Sequence, residues 1–323
     1  MSPRVALLSL LFAALVSCTP SDDRSLIETS RRVFGPLPDQ RLASDTPELV
    51  KLGEHLYHSN ELSVNRTQSC NTCHPVATAG VDRLPTSKGA LGTPGRHNTP
   101  TVFNASMHLA QFWDGRAATL EEQAAGPIVN PIEMAMPNAE AVAERLRTSP
   151  AIDRELFRKA FPGDAQPLTL DHASKAIAAF ERTLRTEDRF DEFMKGDANA
   201  LTAQEKDGLR RFMALGCTSC HNGPLVGARI YQRIGIVNEW PNPEDRGRYE
   251  VTKKPADDQV FKVPALRNVA NTAPYFHDGS VDQLDTAVQR MAWHQLGKEL
   301  SAEDRDAVVA FLHALTDKGV AAK

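Results

Sequence analysis

Four of the five cysteines fall in two pentads of one form, Cys70-Asn71-Thr72-Cys73-His74 and Cys217-Thr218-Ser219-Cys220-His221. Two thiols at this spacing can form thioethers with the two vinyl groups of one haem. The histidine beside the second thiol is then held under the iron as its proximal ligand. A zinc site or a redox dithiol would also use Cys-x-x-Cys. Here both pentads place histidine directly after the second cysteine, and no further Cys/His cluster completes a zinc shell. The spacing therefore points to two covalently bound haem c groups.

Downstream of each pentad a subtler repeat appears. Pro100, Asn104, Phe112, Asp114-Gly115 and Leu120 recur in order as Pro264, Asn268, Phe276, Asp278-Gly279 and Leu284, at identical offsets. Two units of common design follow. The copies differ where their chemistry would differ. Met291 stands thirteen residues after Asp278, where the first copy has Pro127, which cannot ligate iron. A thioether opposite His221 would saturate the second iron and raise its potential, suiting electron transfer; core packing is the alternative. Near the first iron, Trp113 replaces His277, and Glu133 follows in the apolar setting Pro131-Ile132-Glu133-Met134. A carboxylate over an open iron could take a proton from peroxide and return it to the leaving oxygen, with desolvation raising its pKa towards the working pH. Taken alone, Glu133 reads as a solvated surface acid, and Trp113 as a core aromatic.

The elements that must position these residues are helical. Thr46-Pro47-Glu48 opens a helix with Leu49, Leu52, Leu56 and Tyr57 on one face, and Thr202-x-x-Glu205 opens another with Leu209, Phe212, Met213 and Leu215. Further helices are expected over 138–148, 169–185 and 301–315. Strand-like alternation is scarce, and Pro/Gly-rich connections such as 85–100 and 240–247 separate the helices. The expected fold is all-α: two cytochrome c-like domains, 41–185 and 186–323, each wrapping one haem c in long loops, with the last helix able to pack back on the first domain.

Cys18, the fifth cysteine, closes an N-terminal export segment. Arg4 supplies the positive end, and Val5 to Val16 is a nearly unbroken apolar run too short to span a bilayer. Leu15-Val16-Ser17-Cys18 resembles a bacterial lipobox, which makes residues 1–17 a signal peptide, Cys18 the lipidated first residue and 18–40 a polar tether. Haem c is also attached outside the cytoplasmic membrane, so both signals favour the periplasm, with membrane contact only through the lipid. A net charge of −4 offers no basic patch for nucleic acid.

These stretches resemble the bacterial di-haem cytochrome c peroxidases and the related methylamine-dehydrogenase maturases. The resemblance rests on Asn98-x-Pro100-Thr101-Val102-Phe103-Asn104, Gln111-Phe112-Trp113-Asp114-Gly115-Arg116-Ala117, Gln123-Ala124-x-Gly126-Pro127 and Glu133-Met134. In the second half it rests on Asp245-x-Gly247-Arg248, Phe261-Lys262-Val263-Pro264-x-Leu266-Arg267-Asn268, Pro274-Tyr275-Phe276-His277-Asp278-Gly279 and Met291.

The resemblance implies a peroxidatic haem on His74, with Glu133 as acid/base and Gln123 lining its pocket. It implies an electron-accepting haem on His221 and Met291, Trp113 between the haems, and calcium held by Asn98, Thr272 and Pro274, the latter two through backbone carbonyls. Arg116 and His277 are expected near haem propionates. The maturases carry tyrosine at the place of Met291, which favours a peroxidase. Relatives needing reductive activation carry a capping histidine where this chain has Ala90; His97 reads as a polar loop residue, with a substitute cap as the alternative. His55, His58, His108, His172, His294 and His313 read as ordinary surface or core polar groups.

The expected activity is reduction of hydrogen peroxide with electrons from a small cytochrome c or cupredoxin, in a homodimer. The alternatives are a di-haem electron-transfer module, and an oxidase or maturase acting on a protein or organic substrate.

Overall fold

The computed structural model describes residues 20–321, so Cys18 and the export segment lie outside the described residues. The chain order is α1 (Pro20–Val33), α2 (Pro47–Tyr57), α3 (Leu120–Val129), α4 (Ala139–Thr148), α5 (Arg154–Ala160), α6 (Leu170–Glu181), α7 (Arg189–Lys195), α8 (Ala203–Ala214), β1 (Tyr231–Arg233), β2 (Val260–Lys262), α9 (Leu284–Leu296) and α10 (Ala302–Ala314), with short helical turns between them. Strands β1 and β2 pair antiparallel, Gln232 opposite Phe261. The molecule is mostly helical with one small sheet.

Two large apolar cores and three smaller clusters form among the described residues. The first gathers Leu52, Leu56 and Tyr57 of α2 with Ile128 of α3, Leu146 of α4 and Ile177 of α6. The second gathers Phe190 and Phe193 of α7, Leu209 and Phe212 of α8, and Phe311 and Leu312 of α10. Each fully buried side chain of this size contributes roughly 1.5–3 kcal/mol.

One glycine sets the closest crossing in each core. A Cβ on Gly53 would overlap the Ala176 carbonyl of α6, and a Cβ on Gly208 would overlap the Ala307 carbonyl of α10. Phe180 and Phe311 stand beside these glycines in matching places. The downstream repeat is also physical. Asn104 and Asn268 both adopt left-handed backbone (φ 60° and 64°), as do Phe112 and Phe276 (66° and 70°) and Gly115 and Gly279 (69° and 61°).

Several elements differ from expectation. Residues 20–33, expected within a tether, form helix α1. Its Leu26 and Ile27, with Phe34, join the second core, and Asp23 takes a 2.7 Å salt bridge from the nearly buried Lys206. Serine, aspartate and arginine dominate the composition there and mask this spaced apolar face. The last long helix, α10, packs chiefly on α8.

Helices α3 and α9 were not anticipated. Gly126-Pro127 reads as a breaker, yet Pro127 lies in the last turn of α3, where its missing N–H costs only the bond to the Gln123 carbonyl. α9 lacks a side-chain N-cap; its Leu284, Val288 and Met291 line a cleft, and Leu284 and Val288 also pack against the edge of the second core.

Candidate haem clefts

Each pentad lines a cleft. The first, of about 490 Å³, has Cys70, Cys73 and His74 on one side and Gln123, Arg116 and Glu133 among its other walls. The second, of about 190 Å³, has Cys217, Cys220 and His221 with Met291, His277 and Lys262.

The histidines are oriented alike. His74 Nδ1 lies 3.3 Å from the Gly80 carbonyl, and His221 Nδ1 lies 3.3 Å from the Val226 carbonyl. A carbonyl only accepts, so Nδ1 carries the hydrogen and Nε2 keeps its lone pair for a metal. Gly227 lies against His221: a Cβ there would overlap the Pro264 carbonyl, and its φ of 137° suits only glycine.

Burial pushes the Cys70 and Cys73 thiols up and Cys217 up to about 11, the opposite of an activated redox dithiol. Among the described residues no three His, Cys, Asp or Glu side chains converge on a metal, so neither pentad has the partners of a zinc shell. Sulfurs for thioethers and an oriented imidazole in each cleft fit haem c.

The clefts differ in the rest of their lining. In the first, Glu133 stands 4.0 Å from Arg116, with its side chain 34% exposed. Burial raises its pKa, and Arg116 and Asn130 pull it back in part. Gln123 projects from α3 into the same space. Arg116 is held 3.0 Å from Asp114 and over the Phe112 ring.

Gly89 lines this cleft, where a Cβ would overlap the Ile132 carbonyl. The neighbouring Ala90 is buried, its N–H 2.6 Å from the Glu133 carbonyl and its own carbonyl 2.6 Å from Asn65 Nδ2. The loop at residue 90 is thus pinned to the strand of chain that carries Glu133. His97 also lines the cleft, but its Nε2 is bonded to Asp245 at 2.8 Å.

In the second cleft, Met291 projects from α9. His277 is 1% exposed and stacked on Phe261 at 4.1 Å, and its Nε2 has no hydrogen-bond partner among the described residues. Asp245 is 3.7 Å away, beyond hydrogen-bond reach. An orphaned ring nitrogen on a haem wall fits an anionic group of the cofactor.

Trp113 lines both clefts. Its Nε1 donates to the Asn98 carbonyl at 2.9 Å, and its own carbonyl accepts from Lys262 N–H at 2.7 Å. Asn98 donates its N–H to the His277 carbonyl at 2.8 Å, and its Nδ2 to the Leu84 carbonyl at 2.9 Å. Its side-chain oxygen is therefore the atom left for a cation, in a loop held against the 272–279 segment.

Two buried groups escaped the sequence reading. Glu181 ends α6 on the wall of the first cleft; the signal was an acid continuing the apolar stripe of Ala173 and Ile177. Lys262 Nζ sits 2.8 Å from His108 Nδ1 across 154 positions of sequence, and burial lowers Lys262 to about 7.

The family model described as di-haem cytochrome c peroxidase matches residues 47–199. The chain is 44% identical over 304 residues to the cytochrome c551 peroxidase of Pseudomonas aeruginosa, covering 91% of this chain and 87% of the relative. It is 45% identical over 285 residues to the cytochrome c551 peroxidase of Nitrosomonas europaea, covering 86% and 84%. A solved MauG-like protein associated with microbial copper homeostasis shares the fold at a TM-score of 0.76 and 28% identity, covering 87% of this chain and 94% of its own. With paired pentads, paired clefts and full-length similarity in agreement, the chain belongs to the di-haem cytochrome c peroxidase family.

Proposed function

We propose that this protein reduces hydrogen peroxide to two waters, drawing two electrons from a small periplasmic cytochrome c or a cupredoxin. The observation that carries the reading is the asymmetry of the clefts. Glu133, Gln123 and Arg116 line the cleft of His74, whereas Met291 lines the cleft of His221. Haem held by Cys70, Cys73 and His74 would supply redox-active iron for the peroxide chemistry, and haem held by Cys217, Cys220 and His221 would supply the electron-entry centre. Glu133 takes the proton that peroxide gives up and returns it to the departing oxygen; Gln123 and Arg116 orient the substrate and Glu133 itself. Met291 would supply a thioether ligand to a haem iron in the second cleft, which suits electron entry, and Trp113 lines both clefts.

A pure electron carrier has no use for a half-buried acid in an open cleft. A methionine in place of the maturase tyrosine supports peroxide over a protein substrate. Calcium on Asn98, with the carbonyls of Thr272 and Pro274, would brace the loop that holds Trp113, and the committed Asn98 Nδ2 supports that ligand role. The apolar run before Cys18 supports export and a lipid anchor in the periplasm. The test is steady-state oxidation of a reduced small cytochrome c or cupredoxin by the two-haem protein. Peroxide-dependent turnover is expected; its absence with both haems in place would overturn the reading.

A further inference from the structure

The first cleft holds a second carboxyl. Glu181 is 4% exposed and lines the cleft, and its Oε2 is buried without a hydrogen-bond partner among the described residues. An unpaired buried carboxylate is costly and tends to hold a proton instead.

The surrounding groups are already committed. Arg182, its neighbour, forks onto Asp45 with two bonds of 2.8 Å and reaches Glu121 at 2.7 Å. Tyr57 of α2 gives its hydroxyl hydrogen to the His74 carbonyl at 2.6 Å. On α4, which also packs on α6, Arg145 is spent on the Glu61, Ser63 and Val64 carbonyls, and Arg147 on Glu140 and Glu144. The Cys70 sulfur would be consumed in the thioether to haem. Burial therefore pushes Glu181 up to about 8; Arg182 opposes this, and Glu121 of α3 adds to it.

We propose that Glu181 is a redox-linked proton site of the first cleft, binding one proton from solvent when the haem there gains an electron and releasing it on oxidation. The inference rests on the His74 haem of the reading above. Its balance is simple: one electron enters the haem, one proton joins the Glu181 carboxylate, and the net charge of the cleft is unchanged. Peroxide reduction consumes two protons overall, whereas Glu133 only moves one between the peroxide oxygens. Glu181 stores a proton in step with the electron.

The test is a spectroelectrochemical titration of the two-haem protein across the pH range around 8. The first haem's potential is expected to fall with rising pH, by at most about 59 mV for each tenfold change in proton activity, the one-electron limit. In Glu181→Gln that slope should be lost while the second haem's potential is unchanged. An equal slope in Glu181→Gln overturns the proposal.

Should Glu181→Gln fail to load haem, reduced-minus-oxidised infrared spectra of Glu133→Gln decide. A deuterium-sensitive carboxylic C=O band should appear on reduction, and its absence there sinks the proposal. Neither measurement needs peroxide. A protein that turns peroxide over with a pH-independent first potential refutes only the proton site, while a protein that titrates as expected without turnover refutes only the peroxidase reading.

Discussion

Replacing Glu133 by glutamine removes one proton-carrying atom and leaves the volume of the side chain unchanged. A positioned acid/base contributes about 10²–10⁴-fold, which at about 1.4 kcal/mol per decade is roughly 3–5 kcal/mol of barrier. The raised pKa of Glu133, caused by burial and only partly offset by Arg116 at 4.0 Å, adds a second signature. The proton-accepting form is the carboxylate, so wild-type turnover should rise with pH through a value above that of a free glutamate, and Glu133→Gln should lose this limb.

Stability has the opposite sign. A carboxyl whose folded pKa is raised costs stability as pH climbs from its unfolded to its folded value. Glu133→Gln should therefore melt at or above the wild-type temperature at neutral pH, with both haems in place. Stopped-flow and steady-state peroxide assays from acid to alkaline pH, with thermal melts alongside, provide the check. Near wild-type turnover in a fully haem-loaded, stable Glu133→Gln would remove this residue from the mechanism.

Met291→Ala should leave the first haem intact while changing the spectrum and lowering the potential of the second, since Met/His ligation raises it; an unchanged potential would reduce Met291 to packing. Arg267→Met leaves Asp188 (0% exposed side chain) and Asp191 without their shared cation and should cost about 3–5 kcal/mol. Burial holds Asp188 above the ordinary aspartate range even with Arg267 present, so the loss measured by thermal melts should shrink as the pH falls and the carboxyl protonates. With Ala90 buried on the Glu133 backbone and His97 bonded to Asp245, electron paramagnetic resonance of the fully oxidised protein should show a high-spin ferric component from the first haem. A wholly low-spin spectrum that turns high-spin at one haem in His97→Ala would make His97 the cap. Cys18→Ser should release the protein from the membrane fraction with haem loading intact, a lipid chain adding about 0.8 kcal/mol per buried methylene; a wild-type protein lacking lipid by mass spectrometry would refute the lipobox.

The sequence determined what is local. A haem-attachment pentad is one turn of chain, so thioether sulfurs and the proximal histidine are legible from spacing alone. The downstream repeat is legible for the same reason: its left-handed asparagines, phenylalanines and glycines are fixed by backbone conformation over a few residues. Helices α2, α4, α6, α8 and α10 announce themselves through caps and an apolar face. Tertiary structure decided everything that depends on distant segments meeting. It set α1 on the second core, joined His97 to Asp245 across 148 positions, put Trp113 in the wall of both clefts and enclosed Glu181 without a partner. Helices α3 and α9 belong with these, because their apolar faces meet the clefts. Spacing reports which residues share a turn or a helix face, but burial and charge pairing are set by which surfaces the chain brings together, and those surfaces lie far apart in sequence.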